Sequence, residues 1–138
     1  MPDMARVPLP PLAAVVSFID CINRGDIDGL ATMIHAEHRL VVLNEEPVVG
    51  HAANVEAWKG YLSSFPTYVV YPRHIAAGGS RVAVLGATTG SHLGLPDEDE
   101  MTLSVIWLAD VKDGALLLWQ VAEDTPELRA DTGLPARG

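Results

Sequence analysis

The C-terminal half of the chain contains two long apolar segments that are joined by a short turn sequence. Met101–Val111 and Ala115–Glu123 flank Lys112-Asp113-Gly114, and this arrangement predicts a β-hairpin. Nearly every position in both segments is apolar, whereas a half-exposed strand alternates apolar and polar residues. These strands therefore belong to a sheet with both faces covered, and the rest of the fold has to supply the covers.

The N-terminal half is predicted to be helical. The first helix begins near Pro11, a favoured residue in a first helical turn, and ends at Gly25. Asp26 is placed to cap a second, short helix, and His51–Ser64 forms a third. The buried stripe of the first helix has the spacing of one helix face and consists of Leu12, Val15, Val16, Ile19 and Ile22.

Three further segments are predicted to be strands. A strand over Arg39–Asn44 lies between the second and third helices. Tyr68–Ala77 and Arg81–Gly90 form another hairpin across Gly78-Gly79. Pro72 lacks the amide hydrogen that a central strand donates, so it indicates an edge strand or a bulge. Helices followed by a mostly antiparallel sheet indicate the α+β class.

The composition fits one globular domain and limits its partners. The chain has 138 residues, 49% of them hydrophobic, and its formal charge of -9 opposes contact with nucleic acid or anionic membranes. We expect an extended lead-in over residues 1–10 and a single domain over residues 11–138. One cysteine, with no signal-peptide or membrane-spanning pattern, favours a cytoplasmic location.

The number of helices predicts a dimer. Three helices can cover one face of the sheet, which leaves the other apolar face without a cover. A second copy of the chain, packed sheet to sheet, would bury that face. We therefore expect a homodimer that forms through the sheet.

Short motifs follow one another in a fixed order along the chain. They are Ile22–Leu30, Ile34–Glu37, Gly86–Gly90, Gly94–Pro96, Lys112–Gly114, and Trp119 with Asp124. Together they resemble the NTF2-like superfamily and, within it, the SnoaL-like polyketide cyclases. The resemblance covers Ala13 to Leu134 and implies a cone-shaped barrel with a curved, mostly antiparallel sheet and three N-terminal helices. It also implies a deep apolar pocket for a small organic molecule.

The resemblance also implies where the catalytic groups of such proteins would fall. The proton-moving acid of SnoaL-like cyclases falls on Val121, its partner histidine on Trp107, and the histidine of an earlier strand on Thr88. The related ketosteroid isomerases would place their tyrosine on Phe18 and their two aspartates near Val42 and Trp107. The chain therefore retains neither set of catalytic groups.

Glu123 is the first candidate for a proton carrier. Side chains alternate along a strand, so a pocket-facing Val121 places further residues of the last two strands in the pocket. These are Leu117, Trp119 and Glu123 on the last strand, and Leu103, Val105, Trp107 and Ala109 on the strand before it. A carboxyl group in such apolar surroundings should have a raised pKa, which suits a general acid or base. The alternative is that Glu123 lies exposed at the rim or pairs with an arginine.

Other reactive side chains are weaker candidates. His74 is a possible proton carrier, since one side of its strand should reach the pocket. His35 and His38, at the predicted end of the second helix, lack further ligands nearby, so no metal site is expected. Cys21 is expected to be a buried, inert thiol. The acidic run Asp97–Glu100 is expected to be a solvated loop, with a mobile lid or a weak Ca²⁺ contact as alternatives.

Aromatic residues are expected to form the pocket wall and to favour flat or cyclic apolar ligands. The candidate substrate-binding residues are Phe18, Trp58, Tyr61, Thr88, Trp107, Trp119 and Val121. These features predict a cyclase or isomerase that needs no cofactor and works by acid/base proton transfer. The alternative is a protein without catalytic activity that binds a small ligand or acts as a dimeric accessory protein.

Overall fold

The computed structural model describes residues 9–136, so most of the lead-in expected over residues 1–10 lies outside the described residues. The elements of the described part confirm the α+β class. They are α1 (Pro11–Arg24), α2 (Ile27–Met33), β1 (Ile34–Val41), β2 (Val48–Val49), α3 (His51–Ser64), β3 (Val69–Gly78), β4 (Arg81–Thr89), α4 (Asp97–Glu100), β5 (Val105–Lys112), β6 (Ala115–Glu123) and α5 (Pro126–Thr132). Within residues 9–136, no helix is long and apolar enough to cross a membrane.

Local capping signals set the ends of several helices. Gly25 has a φ of 65° and ends α1, a conformation that glycine adopts without strain. Asp26 begins α2, because its Oδ1 accepts a hydrogen bond from the Gly29 amide at 2.9 Å. Thr125 begins α5 in the same way, accepting from the Leu128 amide at 3.1 Å. These ends therefore follow from residues within one helical turn of each boundary.

The six strands form one sheet in the order β2-β1-β6-β5-β4-β3. β1 runs parallel to β6, and the other neighbouring strands are antiparallel. Asp113 and Gly114 join β5 to β6 with φ values of 53° and 79°, as a tight hairpin requires. β3 lies at an edge, and its register shifts between Pro72 and His74. The edge position and the bulge, the two alternatives that Pro72 indicated, are therefore both present.

One face of the sheet, here called the inner face, carries Trp107 and Trp119 and is covered by the first three helices. Phe18 of α1, Leu30 of α2 and Trp58 of α3 belong to the same buried cluster. Burial of each large apolar side chain contributes about 1.5–3 kcal/mol to the free energy of unfolding. The helices are therefore held on this face chiefly by their apolar contacts.

The opposite, outer face is covered by the C-terminal segment. Leu128 and Leu134 pack on this face together with Ala83, Leu85, Ile106 and Leu108. Arg129 forms an ion pair with Asp124 at 2.6 Å and donates a hydrogen bond to the Pro135 carbonyl at 2.9 Å, which holds the segment in place. The sequence predicts a short helix or turn that Thr125-Pro126-Glu127 opens, but the prediction assigned this cover to a second copy of the chain and not to that helix. The homodimer stays a prediction.

The first strand begins earlier than predicted. β1 starts at Ile34 instead of Arg39, so His35 and His38 lie on a strand and not at a helix end. Its pairing with β6 shifts register between Ile34 and Arg39, which is the signature of a bulge. A bulge shifts the alternation of side chains along a strand, so the side on which His38 lies cannot be counted from Ile34.

The hairpin before the C-terminal segment also differs in detail. β5 starts at Val105 instead of Met101, because Asp97–Glu100 forms a short helix before it. Leu103 consequently lies outside the strand and is exposed, contrary to the expectation that it faces the pocket. A register shift opposite Asp110 places Leu116 in the inner core in place of Leu117.

Candidate functional site

Four aromatic side chains fill the centre of the inner face. Trp107 and Trp119 are stacked, with ring centroids 6.0 Å apart, and Phe18 lies 5.0 Å from Trp119. Trp58 meets Phe18 edge-on at 5.9 Å. All four are buried. The structure thus brings together four of the residues predicted to bind substrate, in one buried aromatic cluster.

Val121 lies directly opposite Trp107 in the sheet and packs against the inner core. The two positions on which, by the resemblance, an acid and its partner histidine would fall are therefore neighbours on the inner face. In this chain both side chains lack a group that transfers protons at neutral pH. A proton-transferring group at this site would have to come from other residues.

Glu100 places a carboxylate at the mouth of the inner face, the end where β4 and β6 finish and β5 begins. The side chain is 1% exposed. Thr88 donates a hydrogen bond from its hydroxyl to Glu100 Oε2, and the Ser91 amide lies 3.4 Å from Oε1. Thr88 faces inward because it alternates along β4 with Val84, a member of the inner core. The expected solvated acidic loop therefore ends in a buried acid.

Two tyrosines and a histidine surround this end of the site. The Tyr61 ring meets the Tyr68 ring edge-on at 5.1 Å. The Tyr61 hydroxyl is hydrogen-bonded to His92 Nδ1 at 2.9 Å and accepts a second bond from the His92 amide at 3.2 Å. Burial raises the pKa of both tyrosines, and the nearby charge of Glu100 acts in the same direction. Both phenols therefore stay protonated near neutral pH and are hydrogen-bond donors.

His38 is a second buried polar group on the inner side of the sheet. The side chain is 0% exposed, and its ring lies 6.4 Å from Phe18. Its Nδ1 is 2.6 Å from the Leu116 carbonyl oxygen. Burial lowers the pKa of His38, so the ring is neutral near pH 7. Its Nε2 has no hydrogen-bond partner among the described residues.

The structure places Glu123, the first predicted proton carrier, in a different environment from the one expected. It is the last residue of β6 and is exposed, so the expected apolar surroundings are absent. It lines an open cleft of about 530 Å³ at the mouth of the inner face, together with Leu43, Thr102, Leu103, Ser104, Val105, Val121, Ala122 and Asp124. Glu123 therefore lies exposed at the rim, which was the alternative position considered for it.

His74, the second predicted proton carrier, is exposed on the edge strand β3. It pairs with Leu85, which belongs to the outer face, and directly opposite side chains share a face. The prediction that His74 reaches the pocket is therefore wrong. The bulge after Pro72 shifts the alternation of β3, so the side on which a residue lies cannot be counted through it.

The residues weighed for other chemistry are also separated. His35 Nδ1 accepts a bond from the Glu37 amide at 3.1 Å on the exposed side of β1, while His38 is buried. Among residues 9–136, no three His, Cys, Asp or Glu side chains are grouped to hold a metal. Cys21 is buried, and burial raises the pKa of its thiol, which disfavours the reactive thiolate.

A family model described as a SnoaL-like domain matches residues 15–119, about three quarters of the chain. The chain belongs to the SnoaL-like domain family. A search of curated proteins finds no match to this SnoaL-like chain.

Solved structures confirm the NTF2-like fold of this SnoaL-like protein. A Jannaschia sp. CCS1 protein assigned as a SnoaL-like polyketide cyclase has a TM-score of 0.66 at 18% identity, with 98% of this chain and 99% of that chain covered. An LEH-like epoxide hydrolase of M. tuberculosis has a TM-score of 0.65 at 15% identity, over 83% and 82% of the chains. An NTF2-like protein of unknown function from Cytophaga hutchinsonii has a TM-score of 0.66 at 11% identity, over 91% and 98%. These identities support a common fold and leave the reaction open.

Sequence reasoning missed the two buried polar groups of this SnoaL-like protein. Glu100 is the last of four consecutive acids, and nothing in that run distinguishes it from its exposed neighbours. His38 was weighed only as a metal ligand at a helix end, because Glu37 interrupts the apolar pattern and hides the start of β1. A weak signal for Glu100 is Pro96, which directly precedes a single helical turn that ends at this acid.

Proposed function

We propose that this SnoaL-like protein binds a small, flat, apolar organic molecule against the aromatic inner face and moves a proton on it, without a cofactor. The observation that carries the proposal is the buried carboxylate of Glu100 at the mouth of the inner face, hydrogen-bonded to Thr88. Thr88 occupies the position of a histidine in SnoaL-like cyclases. Glu100 therefore supplies, from a loop, the proton-transferring group that Val121 and Trp107 lack.

The hydrogen bonds of Glu100 leave one of its oxygens available to a substrate. Oε2 is held by the Thr88 hydroxyl, which fixes the direction of the carboxylate. Oε1 has only the Ser91 amide at 3.4 Å, a distance at which a hydrogen bond is weak. A carboxylate oxygen accepts two such bonds. Oε1 therefore retains the capacity to accept a proton from a bound carbon or hydroxyl group.

The neighbouring tyrosines suit the other half of such a reaction. When a proton leaves the carbon beside a carbonyl, negative charge develops on the carbonyl oxygen, and nearby donors stabilise it. Tyr68 stays protonated and is half-buried near Glu100, so its hydroxyl is the donor for this charge. This combination favours proton abstraction next to a carbonyl, which leads to isomerisation or to ring closure when the bound chain is held folded.

The alternative is a protein that binds such a molecule without changing it. The apolar residues at the two family positions, Val121 and Trp107, favour this alternative. Glu123 also stays a candidate proton carrier, because it lines the cleft at the mouth. The experiment below separates the three possibilities.

The test measures exchange of carbon-bound hydrogen for deuterium in small cyclic ketones such as 2-tetralone, followed by NMR in D₂O. We expect the wild-type protein to accelerate exchange beside the carbonyl and Glu100→Gln to lose about 100-fold or more of that acceleration. Glu98→Gln is the matched control, because Glu98 is exposed in the same acidic run. Its exchange rate should equal that of the wild type.

Two results would redirect the proposal. Loss of exchange in Glu123→Gln but not in Glu100→Gln would move the proton transfer to the rim of the cleft. Saturable binding of the ketones by the wild-type protein with no acceleration of exchange would support the non-catalytic alternative.

A further inference from the structure

A second cavity lies outside the buried aromatic cluster, where the end of α1, the start of α2 and the end of α3 meet. Its volume is about 270 Å³, close to the lower limit of about 300 Å³ for pockets that bind small molecules. Ile27 and Leu62 line this cavity and also pack against the inner core, so one of its walls is apolar. The cavity therefore has room for a molecule of one or two rings.

The lining of this cavity includes a cation without an ion-pair partner. Lys59 is exposed at the cavity and forms no ion pair with any of residues 9–136. Arg24, the other cation of the lining, is already paired with Asp20 at 2.8 Å and lies 3.6 Å from Asp26. The formal charge of the chain is -9, so its net field repels anions. An ammonium group without a partner, next to an apolar wall, suits the carboxylate of an organic acid.

Tyr68 connects this cavity to the site around Glu100. It is half-buried and lines the cavity, and its ring meets the Tyr61 ring edge-on at 5.1 Å. Burial raises the pKa of the Tyr68 hydroxyl, and the charges of Tyr61 and Glu100 add to this effect, so Glu100 lies near enough to act on it. A molecule in the cavity therefore lies beside the residue that donates a hydrogen bond in the proposed reaction.

Hydrogen bonds between α1 and β3 hold the wall of the cavity next to Tyr68. Asn23 donates from Nδ2 to the Val70 carbonyl at 2.9 Å, and its Oδ1 accepts from the Val70 amide at 2.8 Å. The Tyr68 amide donates to the Phe65 carbonyl at 3.1 Å, which closes the turn after α3. A wall that is fixed in this way loses little conformational entropy when a ligand binds.

We propose that this cavity holds the acid arm of the substrate: the carboxylate of a cyclic keto acid pairs with the Lys59 ammonium group, and the ring lies against Ile27 and Leu62. This inference rests on the proposed function, because it names the substrate class of the same site. The keto group lies towards Tyr68 and Glu100, and the carboxylate lies on the solvent side. The substrate is therefore a small oxo-carboxylic acid and not a neutral ketone.

The test compares 6-carboxy-1-tetralone with its methyl ester, which has the same rings and keto group but no charge, by titration calorimetry. We expect the wild-type protein to bind the acid about five-fold more tightly, the size expected for one exposed ion pair, and added salt should reduce this preference. Lys59→Gln should bind both compounds with equal affinity. The matched control Lys112→Gln removes an exposed lysine at the end of β5 and should keep the preference.

A second measurement locates the bound acid in the wild-type protein. On addition of the acid, the methyl NMR resonances of Ile27 and Leu62 should move, while those of Leu134 on the outer face should stay in place. Resonances of Ile27 and Leu62 that do not respond to a bound acid would place it elsewhere and overturn the proposal.

The affinities separate failure of the acid-binding cavity from failure of the proposed function. Equal affinity of the wild type for acid and ester overturns the role of Lys59, and so does a preference that persists in Lys59→Gln. Hydrogen exchange in 2-tetralone that depends on Glu100 would survive either result, and the proposed function with it. Binding of the acid at Lys59 without exchange beside its keto group would support the cavity and contradict the proposed proton transfer.

Discussion

The buried imidazole of His38 makes a defined contribution to the pH dependence of stability. Burial lowers the pKa of His38 below its ordinary value of 6.5. The unfolded chain therefore takes up a proton at this residue at a higher pH than the folded chain does. Stability rises with pH wherever the unfolded state binds more protons. The contribution of His38 is complete above the unfolded pKa and is lost as the pH falls through 6.5 towards the folded pKa.

The size of this contribution follows from the linkage relation. Consider a residue with an unfolded pKa of 6.5 that stays neutral in the folded state. When the pH falls from about 7.5 to about 5.5, this residue lowers the unfolding free energy by about 1.4 kcal/mol. This value is an upper limit, because protonation of the folded state reduces it. The charges of the neighbouring His51 and His35 also lower the pKa of His38. The carboxylates of the chain contribute to the total slope as well.

Urea unfolding at the two pH values isolates the His38 contribution by comparison of variants. The change in unfolding free energy should be smaller in His38→Asn than in the wild type, by up to about 1.4 kcal/mol. His74→Asn removes a histidine that is exposed on the edge strand β3 and should keep the wild-type change. An identical pH dependence in His38→Asn and the wild type would show that His38 is not a buried neutral group.

Two further substitutions test the packing of the two faces. Trp119→Ala removes a fully buried indole from the inner core and should lower the unfolding free energy by about 3–5 kcal/mol, measured by urea unfolding. A loss below about 1 kcal/mol would contradict the packing of this indole in the inner core. Leu134→Ala tests whether the C-terminal segment covers the outer face, and should cost about 2–5 kcal/mol in the same assay. The exposed Leu95 serves as its control, since Leu95→Ala should change little.

The parts of the fold that depend on neighbouring residues could be predicted from the sequence. The bounds of α3 match the prediction, and Asp26 caps α2 as expected. The Asp113-Gly114 turn also needed only local information, because its positive φ values suit these residue types. The resemblance supplied the arrangement of these elements around the inner face.

The candidate site was harder to predict, because its polar groups depend on contacts between distant segments. Glu100 is buried through Thr88, twelve residues earlier and on a different element. His38 is buried through a bulge and through Leu116, seventy-eight residues later. Contacts between distant segments leave no helical or alternating pattern in the sequence, so periodicity cannot predict them. The aromatic wall was predictable, since strand alternation places Trp107, Trp119 and Val121 on one face.

The most direct test of the central claim is a crystal structure of the protein with a small cyclic ketone that stabilises it in a thermal-shift screen. A ligand present at 100 times its dissociation constant stabilises the folded state by about 2.7 kcal/mol, which gives a readable change in melting temperature. The account predicts that the ketone lies on the aromatic inner face, with its reacting carbon beside Glu100 Oε1. A ketone bound in the open cleft at Glu123, with Glu100 still enclosed and out of reach, would contradict it.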